Sequence, residues 1–316
     1  MSIPKAAVGP ALGAVLALML ALAGCAASGT PDGTVAAKAS TTASEPKAVN
    51  VVASTDVYAS IAQSIGGTAV NVTSFISDPD QDPHSYEASA QNQLAISKAA
   101  LVIENGGGYD DFIDRMVKAS HAKATVLNVV DISGKKASAG QELNEHVWYD
   151  FPTVALLADK VATALTAMDG KNAPRFQANA KKFTDQVHRL VTQEESLKAS
   201  YGGAGVAITE PVPLYMLEAV GLHNKTPSAF SSAIEEGNDI SALLLKQTLD
   251  LFTQGKVTAL VYNEQTSGPI TEQVKQAAAK ANVPVVPVTE TLPEGKSYLT
   301  WMTANLDHLK QALSAK

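Results

Sequence analysis

Residues 172–203, "NAPRFQANAKKFTDQVHRLVTQEESLKASYGG", constrain the fold more than any other stretch of this chain. Asn172 suits an N-cap, Pro174 suits a first turn, and Gly202 and Gly203 mark a stop. Between Pro174 and Gly202 there is no glycine or proline to break a helix. Some 28 residues at about 1.5 Å each make a rod of roughly 42 Å. A rod of that length is a spine, and what lies on either side of it decides the architecture.

On both sides, short β-rich apolar runs alternate with amphipathic helical ones. Before the rod come strand-like "VNVVAST" (49–55), "AVNVTSFIS" (69–77), "ALVIENG" and "ATVLNVVDI" (124–132), with helical stretches between them. "FPTVALLADKVATALTAM" then reads as one further helix. After the rod come "GVAITE" (205–210), "VTALVYNE" (257–264) and "VPVVPVTE" (283–290), again separated by helices, and a terminal helix closes the chain. Alternation of this kind implies mostly parallel sheets with helices on both faces. The 316 residues allow about two domains of roughly 150 residues. The expected fold class is therefore α/β: two similar parallel-sheet α/β lobes joined by a long rigid helix. The N-terminal lobe is expected over 48–171, the linking helix over 172–200 and the C-terminal lobe over 201–316.

The first 47 residues have a different character. Lys5 precedes the uncharged run "AAVGPALGAVLALMLALAGCAASG", the pattern of a secretory signal peptide. "LAGC", Leu22 to Cys25, resembles the bacterial lipobox, in which the cysteine is lipidated and becomes the first mature residue. Cys25 is the only cysteine, which rules out an internal disulfide and gives the thiol a use in acylation. The expectation is a signal peptide over 1–24 and a Ser/Thr/Ala/Gly/Pro-rich flexible tether over 25–47. That places the protein at the cell membrane, lipid-anchored on its extracytoplasmic face. The formal charge is -7 and no Lys/Arg cluster stands out, so nucleic acid is not an expected partner.

In open α/β sheets, ligands bind beyond the carboxyl ends of the strands. The candidates there are His84 after the second strand, His146 after 124–132, Glu210 at the end of 205–210 and Glu290 at the end of 283–290. Each lobe supplies two, so a ligand in the interlobe cleft would meet two imidazoles and two carboxylates, donors that suit a divalent first-row metal. Taken singly, His84 reads as a solvated loop residue, and each glutamate reads equally as a helix cap or an exposed strand end. The joint placement favours the ligand reading. His121, His188, His223 and His308 fall on helix surfaces or loops and are expected to be structural or solvated.

Over about residues 48–316 the chain resembles the zinc/manganese class of solute-binding lipoproteins that serve ABC importers. "DPHSYE" (82–87) matches that family's first-ligand motif, "EHVWYD" resembles the second, "TEPVPLY" (209–215) the third and "PVTETLPEGKSY" the last. The resemblance implies a metal site of His84, His146, Glu210 and Glu290, with Mn(II) or Zn(II) as the transported ligand. It also implies an ABC importer permease as partner and a monomeric receptor that is not an enzyme. The chain departs from the family pattern at Asn144-Glu145, where Asp-Pro is common, and at Glu290, where Asp is usual. It also lacks the His-rich loop of many zinc-specific members. Two carboxylates able to bind bidentately would accommodate Mn(II), whereas simple affinity order favours Zn(II). The alternatives are a surface adhesin or structural lipoprotein, and an extracellular metalloenzyme. For the last, the sequence contains neither His-Glu-x-x-His nor Gly-x-Ser-x-Gly.

Overall fold

Each half of the chain builds one four-stranded parallel sheet, and the two sheets have the same strand order. A computed structural model describes residues 48–78, 81, 86–137 and 142–315. The expected signal peptide, the tether with Cys25, and His84 lie outside the described residues. The first half runs β1 (Val49–Thr55), α1 (Asp56–Gly66), β2 (Val70–Ile76), α2 (Ala90–Lys98), β3 (Leu101–Glu104), α3 (Asp111–Ser120), β4 (Thr125–Asn128) and α4 (Val129–Ser133). A 3-10 turn (Val147–Tyr149) leads into α5 (Phe151–Met168) and then α6 (Ala173–Tyr201). The second half runs β5 (Gly205–Ile208), α7 (Leu214–Ala219), β6 (His223–Asn224), α8 (Ser228–Glu235), α9 (Ala242–Thr253), β7 (Leu260–Asn263), α10 (Pro269–Lys280), β8 (Val285–Val288) and α11 (Tyr298–Ser314).

The orders are β2-β1-β3-β4 and β6-β5-β7-β8. In each sheet the chain moves outward from its first strand, then crosses back to the other side of it. That reversal opens a crevice beyond the carboxyl ends of the two central strands, where α/β folds bind ligands. The central strands are buried throughout or nearly so, as covered parallel strands must be.

Helix α6 shows why the two lobes form one body. Its buried residues are Phe176, Ala180, Phe183, Val187, Leu190, Glu194 and Leu197, spaced alternately four and three apart, so they make one stripe along the helix. The stripe packs on α5, α1 and α11 and joins a continuous apolar core drawn from both lobes, from Ile61 and Phe151 to Val206 and Trp301. Polar ties cross the same boundary. The Tyr149 hydroxyl donates to the Thr289 carbonyl (2.8 Å), the Tyr298 hydroxyl to the Trp148 carbonyl (2.7 Å) and the Leu292 amide to Asp56 Oδ1 (3.1 Å).

Two local expectations need correction. The apolar run 124–132 is not one strand: β4 stops at Asn128, whose side chain accepts from the Asp131 amide (3.0 Å) and starts α4. Gly134, with φ 65°, ends that short helix. Asn172 precedes α6 as expected, but its side chain does not cap the helix; Nδ2 donates to Asp169 Oδ2 instead (2.6 Å).

Candidate metal centre

The strand β5 ends at Ile208, and the prolines at 211 and 213 prevent its continuation. Glu210 is thus held at the strand end, 1% exposed. Glu290 follows β8 by two residues and is also buried. One amide joins them: Asn263, the last residue of β7, donates from Nδ2 to Glu210 Oε2 (2.5 Å) and to Glu290 Oε1 (2.9 Å). The Thr266 hydroxyl donates to the other oxygen of Glu210, and the Tyr109 hydroxyl donates to Glu290 Oε2 (3.2 Å). The side-chain Oε1 of Gln265 accepts from the backbone amides of Glu290 and Thr291, which fixes the loop that carries Glu290. Both carboxylates are therefore held by hydrogen bonds from protein donors.

His146 reaches the same place from the N-terminal lobe. It precedes the 3-10 turn and is fully buried, with its ring edge-on to Tyr109 and Trp148. Its Nδ1 lies 2.7 Å from Asn144 Oδ1. The orientation of the Asn144 amide is set by its other contacts: Oδ1 accepts from the His146 backbone amide (3.2 Å), and Nδ2 donates to the Pro211 carbonyl (3.1 Å). Since that oxygen only accepts, Nδ1 carries the proton, and in the neutral imidazole Nε2 is the acceptor nitrogen. A ligand imidazole braced in this way is usual at metal sites. Nε2 lies 3.9 Å from Glu290 Oε2 and 3.4 Å from Glu235 Oε1.

Three of the four residues expected from the sequence, His146, Glu210 and Glu290, therefore converge. The fourth, His84, lies outside the described residues. His121, His188, His223 and His308 are all exposed. Sequence reasoning missed Glu235, the last residue of α8, and gave Glu145 no role. Among the described residues, one donor atom each from Glu145, His146 and Glu235 lie within 4.8 Å of one another. Burial raises the Glu235 pKa to about 9, and the charges of Glu145, Glu210, Glu290 and Glu236 add to that effect. So many carboxylates around one imidazole cost folding free energy unless protons or a cation neutralise them. Nitrogen and oxygen donors of this kind suit Mn(II) and Zn(II).

Two parallel-sheet lobes on a helical spine, with an imidazole and buried carboxylates at their facing strand ends, have the build of a solute-binding protein. The family model ZnuA, described as the periplasmic zinc-uptake complex component A, matches residues 51–312, and the chain belongs to that family. It is similar to the manganese ABC transporter substrate-binding lipoprotein PsaA of Streptococcus pneumoniae, 24% identical over 326 residues and covering 96% of this chain and 99% of the relative. It is also similar to the scaA lipoprotein of Streptococcus gordonii, described in the same words, at 23% identity over 320 residues, covering 94% and 97%. Among solved structures, the periplasmic zinc binding protein TroA from Treponema pallidum matches with a TM-score of 0.72 at 18% identity, covering 84% of this chain and 99% of its own. The laminin-binding adhesin Lmb from Streptococcus agalactiae, as a mutant structure, matches at 0.72 and 19%, covering 84% and 100%. These structures share the fold.

Proposed function

We propose that the protein is an extracytoplasmic receptor that captures one Mn(II) or Zn(II) ion in the interlobe cleft and hands it to an ABC importer permease. The observation that carries this reading is the braced imidazole of His146 among buried, hydrogen-bonded carboxylates contributed by the other lobe. His146, Glu210 and Glu290 are the proposed ligands from the described residues, and His84 is the fourth, on the strength of its motif. A full set of protein ligands leaves no open position at which water could be activated, so the site suits holding an ion and not catalysis. Membership of the ZnuA family and the manganese named for its relatives support the same class of cargo.

The anchoring belongs to this reading as well. Cys25, acylated, would tie a monomeric receptor to the outer face of the membrane, with residues 25–47 as tether. The experiment is elemental analysis of gently purified protein together with a hydrolase screen. The receptor reading expects about one transition-metal ion per chain, as a single site requires, and no hydrolysis. Metal-free protein that cannot be loaded would favour the surface-adhesin alternative, and hydrolysis that depends on the ion would favour the enzyme.

A further inference from the structure

Glu235 enters the cleft from the end of α8, and no motif in the sequence points to it. Its Oε1 is 3.4 Å from His146 Nε2, whereas Glu290 Oε2 is 3.9 Å away. Two neighbouring donor atoms bound to one ion at about 2.0–2.1 Å sit roughly 2.9 Å apart at an octahedral angle and roughly 3.3–3.4 Å apart at a tetrahedral one. Glu235 therefore meets the spacing of a shared ion better than Glu290 does. The Oε1 of Glu235 is buried and makes no hydrogen bond among the described residues. The last residue of a helix faces the negative end of the dipole, which disfavours a carboxylate. Glu145 stands in the same group and adds negative charge. A cation between these groups would offset their mutual repulsion and engage the imidazole at the same time.

We propose that Glu235 is a direct ligand of the captured ion, paired with His146, and that it tunes the site toward Mn(II) against Zn(II). The proposal rests on the receptor reading above. A third carboxylate beside Glu210 and Glu290 makes the donor set richer in oxygen, and oxygen-rich sets suit Mn(II), while imidazole suits Zn(II). The longer glutamate at 290 and the glutamate at 235 then act in the same direction.

The test is chelator-competition titration of the metal-free protein with Mn(II) and with Zn(II), for wild type, Glu235→Gln and Glu235→Asp. The Co(II) absorption spectrum of each serves as a readout of coordination. Glu235→Gln is expected to lose about tenfold or more in Mn(II) affinity and distinctly less in Zn(II) affinity. Its Co(II) bands should intensify as the coordination number falls, and Glu235→Asp should fall between it and wild type. Mn(II) affinity unchanged in Glu235→Gln would overturn the proposal. So would equal losses for both metals with an unaltered Co(II) spectrum, because Glu235 would then only brace the imidazole. Wild-type protein that binds neither metal would instead remove the receptor reading itself.

Discussion

Replacing Glu194 with glutamine tests how the spine of this receptor tolerates a charge in its core-facing stripe. Glu194 sits where the spacing of Phe176, Ala180, Phe183, Val187, Leu190 and Leu197 calls for an apolar residue, and it is 3% exposed. Its Oε1 makes no hydrogen bond among the described residues. Burial raises its pKa from 4.5 to about 8, with help from the charges of Asp150 and Glu195. The folded protein therefore keeps a proton that the unfolded chain releases near pH 4.5. Stability from this group is fully present below that pH, is lost as pH rises toward about 8, and is level beyond. At about 1.36 kcal/mol per pH unit, the loss between pH 5 and 8 is on the order of 3–4 kcal/mol. A crevice lined by Asp150, Glu194, Glu195 and Lys198 opens beside the carboxyl. Water there would lower the figure, which is an upper bound. Glutamine is nearly isosteric and does not titrate, so the variant should gain on wild type steadily over that window. Urea unfolding of both metal-free proteins at pH 5, 6, 7 and 8 measures the difference. A difference that stays constant with pH would refute the reasoning and place a charged, solvated Glu194 on the spine.

Three further outcomes follow from the site and its setting. Glu290→Gln should lower metal affinity by about tenfold or more, which removes about 1.4 kcal/mol of metal-induced stabilisation at a fixed metal concentration, with Glu290→Asp milder; identical metal-induced melting shifts in all three proteins would take Glu290 out of the site. Small-angle scattering should show a change in radius of gyration under about an ångström on metal loading, because the lobes share one core and an unbroken helix; a change of several ångströms would contradict a stiff spine. Cys25→Ser should release the protein from the membrane fraction, and retention after alkaline washing would point to an uncleaved membrane anchor.

Much of the framework was legible because it depends on local pattern. Pro174 and the paired glycines bracket α6 within a residue or two, and the apolar run of α5 matches its observed limits. Glu210 and Glu290 stand out in the sequence because they end strands, and strand ends in parallel sheets converge on one crevice. What escaped notice depends on contacts between distant segments. Asn263 was read only as part of a strand, yet its amide joins two carboxylates; no pattern in one strand announces a partner 53 residues earlier and another 27 later. Glu235 belongs to no motif and to no strand end, and only its distance to His146 reveals it. The run 124–132 was read as a single strand because a short apolar stretch does not distinguish strand from buried helix. The departure at Asn144-Glu145, puzzling in the sequence, acquires a reason: Asn144 fixes the imidazole of His146, and Glu145 joins the acidic group around it.

The central claim is that an ion is held by His146 together with carboxylates from the opposite lobe. Its most direct test is titration of metal-free protein with Mn(II) and Zn(II) against a competing chelator, for wild type and His146→Ala. The account predicts one ion per wild-type chain and a loss in His146→Ala larger than the 10–100-fold expected from removing a residue that only braces a ligand. Wild-type affinity retained in His146→Ala would contradict it.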